Sequence, residues 1–174
     1  MGEDDFPEPQ SGFVVTHFLV VSDQDRSRDY YQSVFGAEVV LERDPVILKL
    51  ANSWLILNVG GGPTDDKPTV TLTTPQNPDQ TSAFINLRVA DIKAAYAQWS
   101  ARGAEFLTEP KQHRTEIRAY IRDPDGHLIE IGQTTARRTP VAKGRRDATD
   151  NCGNYQERGT QEKRTLLALF SSSS

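Results

Sequence analysis

A unit of nearly constant length occurs twice in the chain. Val21-Ser22-Asp23, a helix-like stretch and Gly36-Ala37-Glu38-Val39-Val40 return as Val89-Ala90-Asp91, a second helix-like stretch and Gly103-Ala104-Glu105-Phe106-Leu107. The two aspartates lie 68 residues apart and the two Gly-Ala-Glu triplets 67. Self-similarity at a fixed spacing constrains the architecture before any single motif does, because both copies must build the same supersecondary unit.

Each copy reads as strand, helix, strand, strand, strand. Residues 13–21 form an apolar, β-branched run with strand character, and Ser22 or Asp23 is placed to cap the helix behind it. That helix carries Tyr30, Tyr31, Val34 and Phe35 at turn spacing and stops at Gly36, a residue suited to the left-handed position after a helix. Strands are predicted over 37–42, 46–51 and 54–59. Gly60-Gly61-Gly62-Pro63 then opens a polar linker to about residue 81, with an edge strand expected at 69–73. The glycine triplet lacks a following helix and a Lys-Ser/Thr pair, so it is a weak phosphate loop. The second copy predicts a strand at 83–89, a helix at 91–102 and strands at 104–108, 116–122 and 127–133. Asp123-Pro124-Asp125-Gly126 fits a turn between the last two. The expected organisation is an acidic flexible arm (1–12), one domain (13–134, with module one 13–60, linker 61–81 and module two 82–134) and a polar tail (135–174).

Charge separates that tail from the rest. The net charge of −4 combines eight Lys/Arg and four acids from residue 135 onward with 12 basic and 20 acidic residues before it. The mixed signs and scattered Gly, Thr and Asn of the tail read as a solvated, disordered extension, and an acidic domain argues against nucleic acid as the main partner. No apolar run is long enough to span a bilayer, the longest being of the kind Trp54-Leu55-Ile56-Leu57, so no membrane partner is expected. The acidic start and the lone Cys152, which excludes an intrachain disulfide and a cysteine zinc cage, lead to a cytoplasmic reading.

Two βαβββ units, the Asp-Pro-Asp-Gly-His-Leu-Ile-Glu ending (Asp123 to Glu130) and the helix sequences Tyr30-Tyr31-Gln32-Ser33-Val34-Phe35-Gly36 and Tyr96-Ala97-Gln98-Trp99-Ser100-Ala101-Arg102-Gly103 together resemble the vicinal oxygen chelate superfamily. That superfamily contains glyoxalases, bleomycin- and fosfomycin-resistance proteins and extradiol dioxygenases. The resemblance covers residues 13 to about 134. It implies an α+β fold in which two βαβββ modules form a curled, cup-shaped mixed β-sheet with helices on the outer face, and it implies a homodimer. It also implies a divalent metal at the floor of the cup in many members, held by His or Gln and Glu from the first and fourth strands of each module. Carried onto this chain, those positions are Thr16, Asn58, Phe84 and Glu130, of which only Glu130 is a usual ligand; no cofactor is assigned on that basis. His17 would qualify only if its strand were bulged, since a one-residue step along a strand reverses the face. His127 is placed on the face away from the cup, and His113 in the loop after Pro110, either over the rim or as a plain surface residue.

By the same alternation Thr16, Phe18, Val20, Asn58, Phe84, Asn86, Arg88, Arg118, Tyr120 and Glu130 should line the concave side. Aromatic walls with a few convergent polar groups are the usual makeup of a small-molecule site. Arg88 and Arg118 would either clamp an anion or pair with Glu130 and Glu116. Two functions follow from the resemblance. One is a glyoxalase-like, metal-independent isomerase or lyase acting on a small anionic or aromatic molecule, with Glu130 as base and Tyr120 as hydrogen-bond donor. The other is a bleomycin-resistance-type protein that sequesters its ligand without turnover, with Phe18 and Phe84 stacking on it. The Tyr120 to Glu130 spacing also resembles extradiol dioxygenases, whose two histidine positions are not met here.

Overall fold

The computed structural model describes residues 6–136. Cys152, the apolar Leu166-Leu167-Ala168-Leu169-Phe170 and nearly all of the tail lie outside the described residues, as does the start of the acidic arm.

The duplication read from the sequence appears as two separately hydrogen-bonded sheets. The first contains β1 (His17–Val21), β2 (Glu38–Leu41), β3 (Val46–Leu50) and β4 (Ser53–Val59) in the order β1-β4-β3-β2, with α1 (Gln24–Phe35) between β1 and β2. The second contains β5 (Ile85–Arg88), β6 (Lys111–Gln112), β7 (Glu116–Arg122) and β8 (Leu128–Thr134) in the order β5-β8-β7-β6, with α2 (Ile92–Ala101) between β5 and β6. Each is a mixed sheet: β1 runs parallel to β4 and β5 to β8, and the remaining pairs are antiparallel. The parallel pairing requires a crossover, which the helix supplies in each module.

Both helices are delimited by local chemistry. The Asp23 carboxylate accepts the backbone N–H of Arg26 at the start of α1, and the Asp91 carboxylate accepts those of Lys93 and Ala94 at the start of α2, satisfying donors that have no partner within a helix. Gly36 ends α1 at φ 72° with its N–H bonded to Gln32 O, 3.0 Å away. Gln24, Ser27, Tyr31 and Val34 recur at turn spacing and form the buried stripe of α1. Inward-facing strand residues, among them Leu19, Val21, Leu48, Leu55 and Leu57 of the first sheet and Ile85, Ile121, Ile129 and Ile131 of the second, join the helices in one continuous apolar core.

Three expected strands come out shorter or differently placed. Strand pairing begins at His17 and not at residue 13, because Phe13 and Val15 stand exposed and Val15 O meets only the Ser53 hydroxyl at 3.3 Å. Residues 104–108 make only a bridge from Phe106 to Ile121 and a bond from Leu107 N to Tyr120 O; pairing with β7 resumes beyond Pro110 as β6, which the sequence reading did not anticipate. The expected edge strand at 69–73 reduces to a bridge between Gly61 and Leu72.

The modules are tied by the β7–β8 turn. Asp125 Oδ1 accepts Ser22 N at 3.1 Å, Ser22 Oγ at 2.6 Å and an Arg26 N–H at 2.8 Å, and its Oδ2 accepts Ser27 Oγ at 3.1 Å. Asp123 accepts the Tyr31 hydroxyl at 2.9 Å, and His127 Nε2 lies 2.8 Å from Val20 O. Among the described residues no helix is long and apolar enough to cross a membrane.

Candidate functional site

Strand register assembles a polar ladder on the face of the second sheet opposite its apolar core. Asn86 stands abreast of Glu130, and Glu130 abreast of Tyr120; one rung further, Arg88 meets Gly132 and Gly132 meets Arg118; beyond it Thr134 meets Glu116. Because side chains alternate, these residues share one face while Ile85, Ile129, Ile131 and Ile121 point to the other.

Glu130 is the centre of the ladder. It is 6% exposed, and a buried carboxylate needs hydrogen bonds or an ion pair to replace water. Asn86 Nδ2 donates to its Oε1 and the Tyr120 hydroxyl to its Oε2, both at 2.5 Å. Arg118 Nη1 lies 3.9 Å from the same Oε2 and 3.5 Å from the Tyr120 oxygen. The hydrogen bond to Glu130, reinforced by burial and by the carboxylate's charge, raises the Tyr120 pKa above its ordinary value, with Arg118 opposing. Tyr120 therefore stays protonated at neutral pH and acts as a donor.

The second rung is closed on itself. Arg88 Nη1 reaches Glu116 at 3.0 Å and Nη2 donates to Thr134 Oγ1 at 2.8 Å. Arg118 Nε stands 3.4 Å from Glu116 without hydrogen-bond geometry. Both arginines thus pair with carboxylates of their own sheet. Gly132 permits this arrangement: a Cβ there would lie 2.1 Å from Arg88 Nη1, so the guanidinium crosses the strand where a side chain is missing.

The remaining expected site residues are dispersed. Phe18 and Phe84 are 49% and 44% exposed, Phe84 being in phase with Asn86 and Arg88. Thr16 precedes β1 and is half-buried. Asn58 does not join Glu130; its Oδ1 accepts from Gln24 Nε2 at 2.8 Å and so braces the first turn of α1. Gln24 could not be foreseen as that partner, because nothing in the sequence ties the helix start to β4. β1 pairs with β4 without a register shift from His17 to Val21, so there is no bulge, and His17 lies on the side of Leu19 and Val21. There it borders a cavity of about 830 Å³ together with Phe35, Leu87 and Trp99. His113 lies in the exposed loop before β7.

These donors do not fit a divalent metal held by one chain. Of the four positions the resemblance designates, only Glu130 is a usual ligand type, and two of its lone pairs are already taken up by Asn86 and Tyr120. Among the described residues no three His, Cys, Asp or Glu converge on a point.

Residues 14–131 match the family model described as Glyoxalase/Bleomycin resistance protein/Dioxygenase superfamily. A probable lactoylglutathione lyase of Synechocystis sp. is 25% identical over 133 residues, which span 72% of this chain and 98% of the relative. The metallothiol transferase FosB of Shouchella clausii is 30% identical over 114 residues, 64% of this chain and 73% of the relative. Among solved structures, TnmS3, an antibiotic binding protein from Streptomyces sp. CB03234, superposes with a TM-score of 0.52 at 20% identity, covering 74% of this chain and all (100%) of that one. The fosfomycin resistance protein FosX from Listeria monocytogenes gives 0.55 at 18% identity over 72% of this chain and 94% of that one. At such identities the structural likeness speaks for the fold alone.

Proposed function

Because the chain belongs to the glyoxalase/bleomycin resistance protein/dioxygenase superfamily, we propose that it binds a small organic molecule over the Glu130 ladder and retains it without turnover. The observation that carries this reading is the doubly held carboxylate: Asn86 and Tyr120 fix Glu130 on the sheet, and its remaining lone pairs form a rigid acceptor for a ligand's O–H or N–H. The half-exposed rings of Phe18 and Phe84 supply apolar surface for a planar body. Arg88 and Arg118 carry charges already paired with Glu116, which favours a neutral aromatic donor over an anion as the ligand.

Titration calorimetry with 1,5-dihydroxynaphthalene, a planar aromatic with two donors, tests this. Saturable binding that weakens about tenfold or more in Glu130→Gln, with the compound recovered chemically unchanged, is the expected result. Equal affinity in the two proteins would sink the proposal. Turnover is a second reading, favoured by the lyase and transferase among the relatives. It predicts that wild type converts a substrate such as the hemithioacetal of glutathione and methylglyoxal while Glu130→Gln binds it and does not.

Assembly as a homodimer is part of the proposal. Phe13 and Val15, 87% and 73% exposed just before β1, are the apolar surface that a second copy would cover; a monomeric mass by light scattering would contradict it. A cytoplasmic location is supported only by the lone cysteine of the sequence.

A further inference from the structure

The 830 Å³ cavity is not the Glu130 site. β1 and β5 each have a neighbour on one side only, β4 and β8 respectively, and are not hydrogen-bonded to one another. The cavity lies between these two strand edges, with the β3–β4 turn (50–53) on one side and the contact between α1 and α2 on the other. Asn86 and Arg88 of β5 contribute to its lining, but their side-chain polar groups are spent on Glu130, Glu116 and Thr134. What β5 turns toward the cavity is the opposite face, Ile85, Leu87 and Val89.

Most of the remaining wall is apolar, and Asn52 and Ser53 of the β3–β4 turn add polar groups to it. Phe35 and Trp99 meet edge to face with centroids 5.0 Å apart, and Leu50, Leu55, Leu87 and Val89 also line the cavity. Of the lining residues only His17 carries an ionisable group not already committed elsewhere: among the described residues no hydrogen bond or ion pair engages its imidazole. A half-buried imidazole without a partner in an apolar wall is a polar anchor awaiting one, since a polar group loses its water on burial and must be matched by another donor or acceptor. The volume falls within the range of small-molecule cavities, and a few polar groups among apolar ones fix orientation and selectivity in such sites.

The geometry points to a second ligand site in this cavity, one that takes an uncharged aromatic molecule bearing a hydroxyl, with the ring system against Phe35, Trp99 and Leu87 and the hydroxyl on the His17 imidazole. No cationic side chain faces the cavity with its charge available, so a carboxylate or phosphate is not matched there. The site shares Asn86 and Arg88 with the ladder's strand but would engage its ligand through His17, Phe35, Leu87 and Trp99, none of which belongs to the ladder, and it does not depend on the function proposed above.

Equilibrium dialysis with 2-naphthol and with its near-isostere 2-methylnaphthalene tests the assignment in the full chain. In Glu130→Gln, where the ladder no longer offers its carboxylate, 2-naphthol is expected to bind saturably at one site, about tenfold more tightly than 2-methylnaphthalene, because one hydrogen bond to a half-buried partner separates them. The preference should vanish when His17→Leu is added to Glu130→Gln. The sequence has three histidines, so imidazole ¹H–¹⁵N spectra of the wild type provide a second readout that needs no variant. The His17 resonances are expected to move on adding 2-naphthol while those of His113 and His127 stay. Failure of 2-naphthol to bind Glu130→Gln saturably, survival of the hydroxyl preference in the double variant, or unmoved His17 resonances would each overturn the proposal.

Discussion

Glu130 shows what can and cannot be known about a side chain from its place in a sequence. Its face, and that of Asn86, Arg88, Arg118 and Tyr120, followed from alternation, because pleat geometry fixes side-chain direction once a strand is placed. Their bonding did not follow, because it depends on which rung of β5 and β7 stands beside which rung of β8, and register is a property of paired strands. Gly132 is the clearest case: in sequence it is a small residue near the end of a strand, and only the rung shared with Arg88 shows that it makes room for a guanidinium. Gly132→Ala is accordingly expected to displace Arg88 and break its contacts with Glu116 and Thr134. The flexible end of a long side chain can yield, so stability should fall by only about 1 kcal/mol; chemical denaturation together with the guanidinium NMR signals would check both parts. Tyr120 allows a sharper test. Its pKa is raised chiefly by the bond to Glu130, so it should titrate above the ordinary value of 10.0. A raised pKa means that the folded state holds this proton more tightly than the unfolded chain. The contribution to stability is complete below that ordinary value and is lost as pH climbs through the folded one. Ring-carbon NMR titration should find the Tyr120 midpoint lowered toward the ordinary value in Glu130→Gln; an unmoved midpoint would mean that the bond is not the cause.

Helices were more legible than strands, and the reason is physical. Caps and helical periodicity are local, so Asp23, Asp91 and Gly36 announce where α1 and α2 start and where α1 stops without any knowledge of their neighbours. A strand exists only where a partner accepts its backbone. Residues 13–16 have strand composition and no partner, and 104–108 pair with β7 at too few points to form a continuous ladder. The helix signals make quantitative predictions. Gly36 sits at φ 72°, a region that costs an L-residue roughly 1 kcal/mol, so Gly36→Ala should lower Tm by a few degrees. Asp91→Ala removes the acceptor for two helix donors and should cost about 1 kcal/mol. If calorimetry found either variant as stable as the wild type, these termini would not be what delimits the helices.

At the scale of the molecule the duplication predicts two alike modules but not how they join, and the junction is where the symmetry breaks. The β7–β8 turn of the second module reaches onto α1 and is gripped there through Asp125 and Asp123, whereas the corresponding β3–β4 turn of the first module borders the cavity. The sequence showed Asp123-Pro124-Asp125-Gly126 as a turn; it could not show that the carboxylates of that turn serve a helix about a hundred residues away. Burial alone would raise the Asp125 pKa, but the bonds from Ser22 and Ser27 and the charge of Arg26 outweigh it and hold the carboxyl below its ordinary value. The folded protein therefore binds the Asp125 proton less readily than the unfolded chain does. That stabilisation is present above the ordinary value of 3.8 and is lost as pH falls through the depressed one. Asp123 acts in the opposite sense: burial raises its pKa against the opposing effects of His127 and Tyr31, so its folded carboxyl keeps its proton more readily as pH falls. Urea denaturation across the acid range separates the two. Asp125→Asn should be less stable than wild type near neutral pH by about 2 kcal/mol, since an amide retains one acceptor for the several donors that converge there, and the gap should close as pH drops below the ordinary carboxylate value. A gap constant with pH would show that the charge on Asp125 contributes nothing and that the modules are joined by packing of the shared core alone.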